Sequence, residues 1–256
     1  MADSGGPVNE RKYRVIASDL RAAIARGEYP ADSRLPGEND LMSRYQVARM
    51  TARQAYAQLV NEGLAVARKG SGVYVRGFRP VLRSGIGRLS ERGWGSGRSI
   101  WAADAASRDL KVDQLEVRRA QAPDRIRMVL DLPEDPGSQV VVRSRRYVLD
   151  GKPVLLSVSY VPAEFAAGTM IEHQDVGPGG LYARLRELGY APARFREDLR
   201  SRMPEPGESE RLELPPGTPV VDIVRTAYTA EGQIVEVNEM TADASSYVFR
   251  YDFDAH

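Results

Sequence analysis

The residue types that most often carry out catalysis are scarce in this chain of 256 residues. It contains no cysteine, and its two histidines are His173 and the last residue, His256. A cysteine nucleophile, a disulfide framework, a zinc site built on cysteine or histidine and most catalytic triads are therefore excluded. The carboxylates of Glu236, Glu239 and Asp243 could exchange protons, but no histidine or nucleophile accompanies them. We expect no enzyme, no bound metal and no cofactor.

Charge is unevenly distributed, although the net formal charge is only +1. Residues 1–79 contain 13 Lys and Arg against 8 Asp and Glu, a net charge of +5, and the remainder carries −4. Halves of opposite sign suggest different partners, and the basic half suits a polyanion. No apolar run approaches the roughly 20 residues that span a bilayer, and the N-terminus lacks the apolar stretch of a signal peptide. These features predict a cytoplasmic protein with no membrane partner.

The basic half has the pattern of three helices followed by a hairpin. The second and third helices are predicted from about 38 to 45 and from about 50 to 62, with a tight turn at 46–48 between them. Residues 64–75 have the pattern of two short strands around a glycine-rich turn at 69–72. This order predicts a winged helix-turn-helix, whose third helix can enter the major groove of DNA. The first helix is marked by apolar residues at spacings of three and four: Tyr13, Ile16, Leu20 and Ile24.

Several strings in this half are distinctive as they stand. They are Tyr29-Pro30, Arg34-Leu35-Pro36-Gly37-Glu38, Leu41, Tyr45-Gln46-Val47-Ala48-Arg49-Met50-Thr51-Ala52-Arg53-Gln54-Ala55, Leu59-Val60-Asn61-Glu62-Gly63-Leu64 and Lys69-Gly70-Ser71-Gly72-Val73-Tyr74-Val75. Together they resemble the DNA-binding domain of GntR-family bacterial transcription regulators, nearly without gaps over residues 13–76. The resemblance implies binding to double-stranded DNA by a homodimer, and hence a palindromic operator.

The resemblance also implies which residues contact DNA. In the family, an arginine at the start of the recognition helix and another one turn later read guanines, and here these are Arg49 and Arg53. Their spacing of four places them on one helical face, and each bidentate arginine–guanine pair contributes ~1–3 kcal/mol of discrimination. The alternative is that both arginines belong to an ordinary solvated face. The other candidate DNA-contact residues are Thr51, Gln54, Asn39, Lys69, Gly70, Ser71 and Gly72.

Three positions depart from the family pattern. Gly37 and Asn39 stand where the family has serine and arginine on either side of the glutamate, and Ala48 stands where it has serine or threonine. Loss of the hydroxyl at position 48 removes a phosphate contact. Asparagine cannot form the fork to guanine but can pair with adenine. We therefore expect an operator that deviates from the family's usual GT…AC core at the base approached by Asn39.

Residues 77–106 break the pattern, with six glycines among Arg and Ser residues, and predict a flexible linker. The spacing of Gly93, Gly95 and Gly97 resembles that of a phosphate-binding loop, but no strand precedes it and no spaced Lys-Ser/Thr pair follows it, so we interpret it as part of the linker. The predicted domains are therefore a winged helix-turn-helix at 10–77, a linker at 78–95 and a second domain at 96–254.

Strands dominate the second domain. Strand-like runs occur at 112–121 and 126–130, followed by hairpins at 140–161 and 220–241 and a last strand at 247–253. Two helices are predicted, at 181–188 and near 208–212. Strands interrupted by two helices predict an α+β domain with a mostly antiparallel sheet.

A second resemblance is carried by strings in this domain. They are Arg145-Arg146-Tyr147, Asp150-Gly151-Lys152-Pro153, Ser159-Tyr160-Val161-Pro162, Leu181-Tyr182 with Leu185, Leu214-Pro215-Pro216-Gly217-Thr218-Pro219-Val220 and Gly232-Gln233-Ile234-Val235-Glu236. Over roughly residues 90–253 they resemble UTRA, the effector-binding domain of the HutC-type branch of GntR regulators. The resemblance implies a fold like that of chorismate lyase and the binding of small, often acidic or sugar-derived metabolites.

Motif positions then give the candidate effector-binding residues. Arg143 and Arg145 are two apart on one strand and could clamp a carboxylate or phosphate, or could instead lie on a solvated face. Ser157 and Gly180 stand where many relatives have glutamate and serine, which argues against an amino-sugar phosphate as ligand. The full set is Arg143, Arg145, Ser157, Tyr160, Tyr182, Tyr228, Glu236 and Asn238.

Together these observations predict a homodimeric transcriptional regulator, most often a repressor in this family, that is modulated by a small-molecule effector and associates with the bacterial nucleoid. One alternative is a plasmid transfer or maintenance repressor that responds to no effector. The other is an enzyme built on the lyase-like domain, which would have no use for a DNA-binding domain.

Overall fold

The computed structural model describes residues 7–77, 80–85, 87–90, 101, 108–135 and 137–253. The chain divides into two compact units, the first made of residues 1–79 with 214–218 and the second of 80–213 with 219–256. The glycine triplet at 93–97 lies outside the described residues, and the borders of the linker stay a prediction.

The first unit has the three helices and the hairpin that the sequence predicts. The elements are helices α1 (Pro7–Ala25), α2 (Glu38–Tyr45) and α3 (Arg49–Asn61) and the antiparallel strands β1 (Ala65–Arg68) and β2 (Gly72–Val75). The predicted apolar stripes meet in one core, to which α1 contributes Ile16 and Leu20, α2 contributes Leu41, and α3 contributes Ala55 and Leu59. Burying these faces holds α3 in place while its polar face stays exposed.

Short-range contacts fix the start of α2 without the usual serine cap. Gly37 has no side chain to cap the helix, and its backbone N–H donates to the carboxylate of Asp40 at 2.8 Å. The hydroxyl of Tyr56, on α3, donates to the carbonyl oxygen of Pro36. The segment that leads into α2 is thereby tied to the middle of α3.

The second unit is built on a six-stranded antiparallel sheet with strand order β4-β5-β6-β9-β8-β7. Its strands are β4 (Leu110–Gln121), β5 (Gln139–Leu149), β6 (Lys152–Pro162), β7 (Arg194–Arg202), β8 (Val220–Tyr228) and β9 (Ile234–Asp243). Strands β3 (Val81–Ser84) and β10 (Tyr247–Arg250) form a separate parallel pair. The helices are α4 (Asp124–Val129), α5 (Ala163–Ala166), α6 (Gly180–Glu187) and α7 (Pro206–Arg211). The predicted α+β class is confirmed.

Four details differ from the sequence predictions. Residues 124–129 form a helix rather than part of a strand, and α5 was not predicted. Strand β3 lies inside the predicted linker, and its Arg83 is fully buried. Strand β7 was missed because it is an edge strand, mostly exposed, whose sequence alternates charged residues rather than apolar ones.

The two faces of the sheet differ in chemistry. One face is apolar: Val142, Tyr160 and Val237 pack there against Ile126 and Leu130 from the α4 segment. The other face carries buried polar side chains at its centre, which come from alternate positions of four neighbouring strands. They are Arg143, Ser157, Ser159, Arg225, Glu236 and Asn238.

Candidate nucleic-acid interface and ligand cavity

The two arginines predicted to read guanines lie side by side at the start of α3. Their side chains are each 58% exposed. Arg53 Nε donates to Glu38 Oε1 at 2.8 Å, and Arg49 Nε lies 3.5 Å from Glu38 Oε2. Arg49 Nη2 also donates to Asn39 Oδ1 at 3.4 Å. The end of α2 that contains Glu38 and Asn39 and the start of α3 therefore form one exposed cationic surface.

The remaining candidates on α3 separate into an exposed and a buried residue. Gln54 is exposed beside Arg53. Thr51 is only 2% exposed, because it lies on the same helical face as Ala52 and Ala55 and packs toward the core. Thr51 therefore leaves the set of candidate DNA-contact residues, and Gln54 stays in it.

The hairpin β1–β2 forms the wing. Lys69, Gly70 and Ser71 are exposed at its tip, and Gly70 has a φ of +72°. Gly72 has a φ of +117°, a backbone conformation that residues with a side chain rarely adopt. Sequence reasoning missed Arg34, whose exposed guanidinium adds charge beside the wing.

A cavity of about 310 Å³ opens on the polar face of the second unit's sheet. Its far wall is the segment 174–182, which runs through three glycines into the first turn of α6. Four of the predicted effector-binding residues line it: Arg145, Tyr182, Glu236 and Asn238. Lining residues absent from the predicted set include Trp101, Leu115, Ser159, Asp175 and Arg225.

Glu236 is the centre of a hydrogen-bond network in this cavity. Its buried carboxylate accepts hydrogen bonds from Ser159 Oγ at 2.7 Å and from the hydroxyl of Tyr182 at 2.5 Å. Ser157 Oγ donates to Asn238 Oδ1 at 2.9 Å, so Ser157 supports the cavity from behind without lining it. Burial raises the pKa of Tyr182 well above its usual value, which keeps that hydroxyl a donor.

Arg225 is the buried cationic group of the cavity lining. It is 2% exposed, and its Nε and Nη1 have no hydrogen-bond partner among the described residues. The carboxylates of Glu236 and Glu197 each lie 3.9 Å from one of its nitrogens, beyond hydrogen-bond distance. Burial lowers the pKa of Arg225, but Tyr182, Glu236 and Glu197 outweigh it and hold the pKa above its ordinary value. A buried guanidinium in the lining of a cavity is suited to an anionic group.

Arg143 does not form the predicted clamp with Arg145. It is fully buried, and its guanidinium donates to the carbonyl oxygens of Ile171, His173 at 2.5 Å and Gln174 at 2.9 Å. Burial lowers the pKa of Arg143 to about 10. Its role is to hold the segment that leads into the cavity wall, while Arg145 alone of the pair lines the cavity.

Tyr160 and Tyr228 also lie away from the cavity. Tyr160 is on the opposite face of the sheet, because successive residues of a strand alternate between faces and its neighbour Ser159 lines the cavity. Tyr228 follows an irregularity in the pairing of β8 with β9. Its ring packs under Arg194, whose guanidinium carbon lies 3.7 Å from the ring centre.

Replacing Arg143 with methionine should destabilise the second unit. The substitution keeps the apolar volume but leaves the carbonyls of Ile171, His173 and Gln174 without their donor, at a cost of about 3 kcal/mol. Urea unfolding should show a lower midpoint for this variant. An unchanged midpoint, with R145M as the matched control, would contradict the structural role of Arg143.

Comparison with known proteins gives the family. Residues 12–75 match the model of bacterial regulatory proteins of the gntR family, and residues 105–248 match the UTRA domain. An uncharacterised HTH-type transcriptional regulator of Streptomyces coelicolor is 31% identical over 94% of this chain and 92% of its own length. The chain belongs to the GntR family and carries a UTRA domain.

Other relatives agree with this assignment. The HTH-type transcriptional repressor NagR of Bacillus subtilis is 24% identical over 94% of both chains. A crystal structure described as a GntR-family transcriptional regulator is 25% identical, with a TM-score of 0.64 over 96% of this chain and 98% of its own. PhnF from Mycobacterium smegmatis has the same fold, with 22% identity and a TM-score of 0.58 over 94% of this chain and 99% of its own.

A GntR regulator binds DNA through its helix-turn-helix, and a UTRA domain binds small-molecule effectors. The cationic surface of α3 lies in the segment matched by the gntR model, and the cavity lining apart from Trp101 lies in the segment matched by the UTRA model. This GntR regulator is thus a transcriptional regulator, as the two sequence resemblances imply. Among its described residues, no helix is long and apolar enough to cross a membrane.

Proposed function

We propose that this GntR regulator is a homodimeric repressor that binds a palindromic operator and responds to a small anionic effector. Two-fold symmetry of the protein would be matched by two half-sites about one helical turn apart. The relative named as the repressor NagR supports repression rather than activation.

The proposed DNA contacts lie on the exposed residues of the first unit. Arg49 and Arg53 would read base edges in the major groove, and their exposed side chains support this role. The other proposed contacts are Asn39, Gln54, Lys69, Gly70, Ser71 and Gly72. Asn39 would read a base where the family arginine reads guanine, which makes the operator deviate from the family core at that position.

The proposed effector site is the cavity lined by Arg145, Tyr182, Arg225, Glu236 and Asn238. The single observation that carries this proposal is that the buried side chain of Arg225, whose Nε and Nη1 have no hydrogen-bond partner among the described residues, is part of the cavity lining. A volume of about 310 Å³ suits a small metabolite. This arrangement favours effector control over an effector-independent repressor.

The effector would regulate operator binding because it binds two states of the protein with different affinities. An effector that binds more tightly to the state with low operator affinity shifts the population toward that state and releases DNA. By reciprocity, operator binding would weaken effector binding by the same factor.

Selection from a random duplex library tests the operator and the dimer together. The purified protein should enrich an inverted repeat, and sedimentation of the complex should give two chains per duplex. Enrichment of an asymmetric site by a single chain would contradict the homodimer, and the absence of any enrichment would contradict sequence-specific binding.

A further inference from the structure

Glu38 is placed to orient both proposed base-reading arginines at once. Each oxygen of its carboxylate faces one guanidinium: Oε1 accepts from Arg53 Nε at 2.8 Å, and Oε2 lies 3.5 Å from Arg49 Nε. Both contacts use Nε, the nitrogen nearest the side chain's stem. A fork to guanine uses the two terminal nitrogens, so holding Nε leaves that fork available.

We propose that Glu38, assisted by Asn39, is a positioning residue that gives this regulator its base discrimination by pre-orienting Arg49 and Arg53. This inference rests on the proposed function, since it concerns how the proposed contacts are held. Glu38 itself needs to touch no base.

The backbone that carries Glu38 is fixed relative to α3. The hydroxyl of Tyr56 holds the carbonyl of Pro36, and the N–H of Gly37 is held by Asp40, on either side of the step into α2. Glu38 then begins α2, where a carboxylate is favoured by the helix dipole. A rigidly placed carboxylate can therefore impose its geometry on two flexible arginines.

Asn39 strengthens this arrangement in this chain. Its Oδ1 accepts from Arg49 Nη2 at 3.4 Å, so Arg49 is held by two neighbouring acceptors. An arginine at position 39, as in the family pattern, would add a third cation instead of an acceptor.

The exposure of the cluster argues that it serves binding rather than folding. The arginines are 58% exposed and Glu38 is 35% exposed, and ion pairs this exposed contribute little to stability. These ion pairs restrict the rotamers of Arg49 and Arg53 before DNA binds. This favours binding, because Arg loses substantial rotamer freedom when it binds a base.

The Glu38 carboxylate also disfavours contacts of Arg49 and Arg53 with DNA phosphates, which carry no sequence information. When Arg49 or Arg53 turns to a phosphate, Glu38 is left unpaired next to the negative backbone of DNA. Glu38 thus reduces the charge with which the surface attracts any duplex, while it supports the arginine geometry that one sequence rewards.

The test is to compare E38Q with the wild type on the operator selected by the wild type and on a random duplex. E38Q should bind the operator about tenfold more weakly and the random duplex about threefold more tightly, since orientation is lost while one positive charge is gained. The slope of log affinity against log salt for random duplex should steepen by up to about 0.9.

Matched variants separate the positioning role of Glu38 from the effect of its charge and from its effect on folding. E62Q removes the same charge from a glutamate paired with Arg21 at the other end of α3, and it should leave the ratio of the two affinities unchanged. E38D keeps the charge but is one methylene shorter, so it should lose operator affinity without gaining affinity for random duplex. Thermal unfolding of each variant checks that it folds, and E38D carries the test if E38Q does not.

A modified operator tests directly whether an arginine forms the paired hydrogen bonds to guanine. Replacing a half-site guanine with 7-deazaguanine removes N7, which should weaken the wild type about tenfold and E38Q much less. The inference is overturned if E38Q keeps the wild-type ratio, if it weakens both duplexes equally, or if E62Q has the same effect. A wild type that shows no preference for any duplex would instead overturn the proposed function.

Discussion

Replacing Arg53 with alanine is expected to lower operator affinity by about 10- to 100-fold, the largest effect of any single substitution in the first unit. The substitution removes a bidentate guanine contact worth ~1–3 kcal/mol of discrimination. R53K keeps the positive charge but not the planar fork, so it should lose nearly as much operator affinity while it binds random duplex like the wild type. Fluorescence anisotropy on both duplexes measures each quantity.

Arg21 provides the matched control for this prediction. It is an exposed arginine of the same unit, paired with Glu62 at the end of α3 opposite to Arg53. R21A should lower the affinities for the operator and for random duplex by a similar small factor, because it removes only one positive charge. Equal losses in R53A and R21A, or full operator affinity in R53K, would show that α3 contributes only charge to DNA binding.

Replacing Arg225 with methionine is expected to weaken an anionic effector by about 30-fold or more. The side chain is buried at the cavity, and truncating one partner of a buried charged contact costs about 2 kcal/mol at least. Thermal unfolding must first show that R225M folds, because the substitution leaves the buried carboxylate of Glu236 without the guanidinium 3.9 Å away, although Glu197 keeps Arg83 at 2.8 Å. Operator affinity without effector should stay within about threefold of the wild type, since the effect is confined to ligand binding.

The effector for this test comes from a thermal-shift screen of carboxylates and sugar phosphates against the wild type. Each compound that raises the unfolding temperature is then titrated by calorimetry into wild type, R225M and R194M. Arg194 stacks on Tyr228 outside the cavity, so R194M should bind like the wild type. Undiminished binding to R225M would contradict the role of Arg225 in anion recognition.

The first unit was predictable because its signals are local. The apolar stripe of α1, the turn at 46–48 and the glycines of the wing each act within a few residues, and the predicted boundaries of α2 match the observed ones. Thr51 was misjudged because membership of a motif does not say which side of the helix faces the core. Its neighbours Ala52 and Ala55 carried that information.

The cavity was harder to predict because its residues depend on contacts far apart in sequence. Alternation correctly places Arg143 and Arg145 on one face of β5, but only the fold brings the carbonyls of Ile171 and His173 onto Arg143. Arg225 was missed although it pairs directly across the sheet with Asn238, which was in the predicted set. Following the strand register from Asn238 on β9 to its partner on β8 would have added Arg225 to the predicted set.

Our proposal for this regulator is that α3 reads a specific sequence and that a ligand in the cavity controls this reading. Its most direct test is fluorescence anisotropy of the wild type on the selected operator and on random duplex, at two salt concentrations, with and without the anionic compound found by the screen. We expect the regulator to prefer the operator by at least about a thousandfold, and we expect this preference to weaken with salt and to be reduced by the compound. Equal affinity for both duplexes, or an operator affinity that no cavity-binding compound changes, would contradict it.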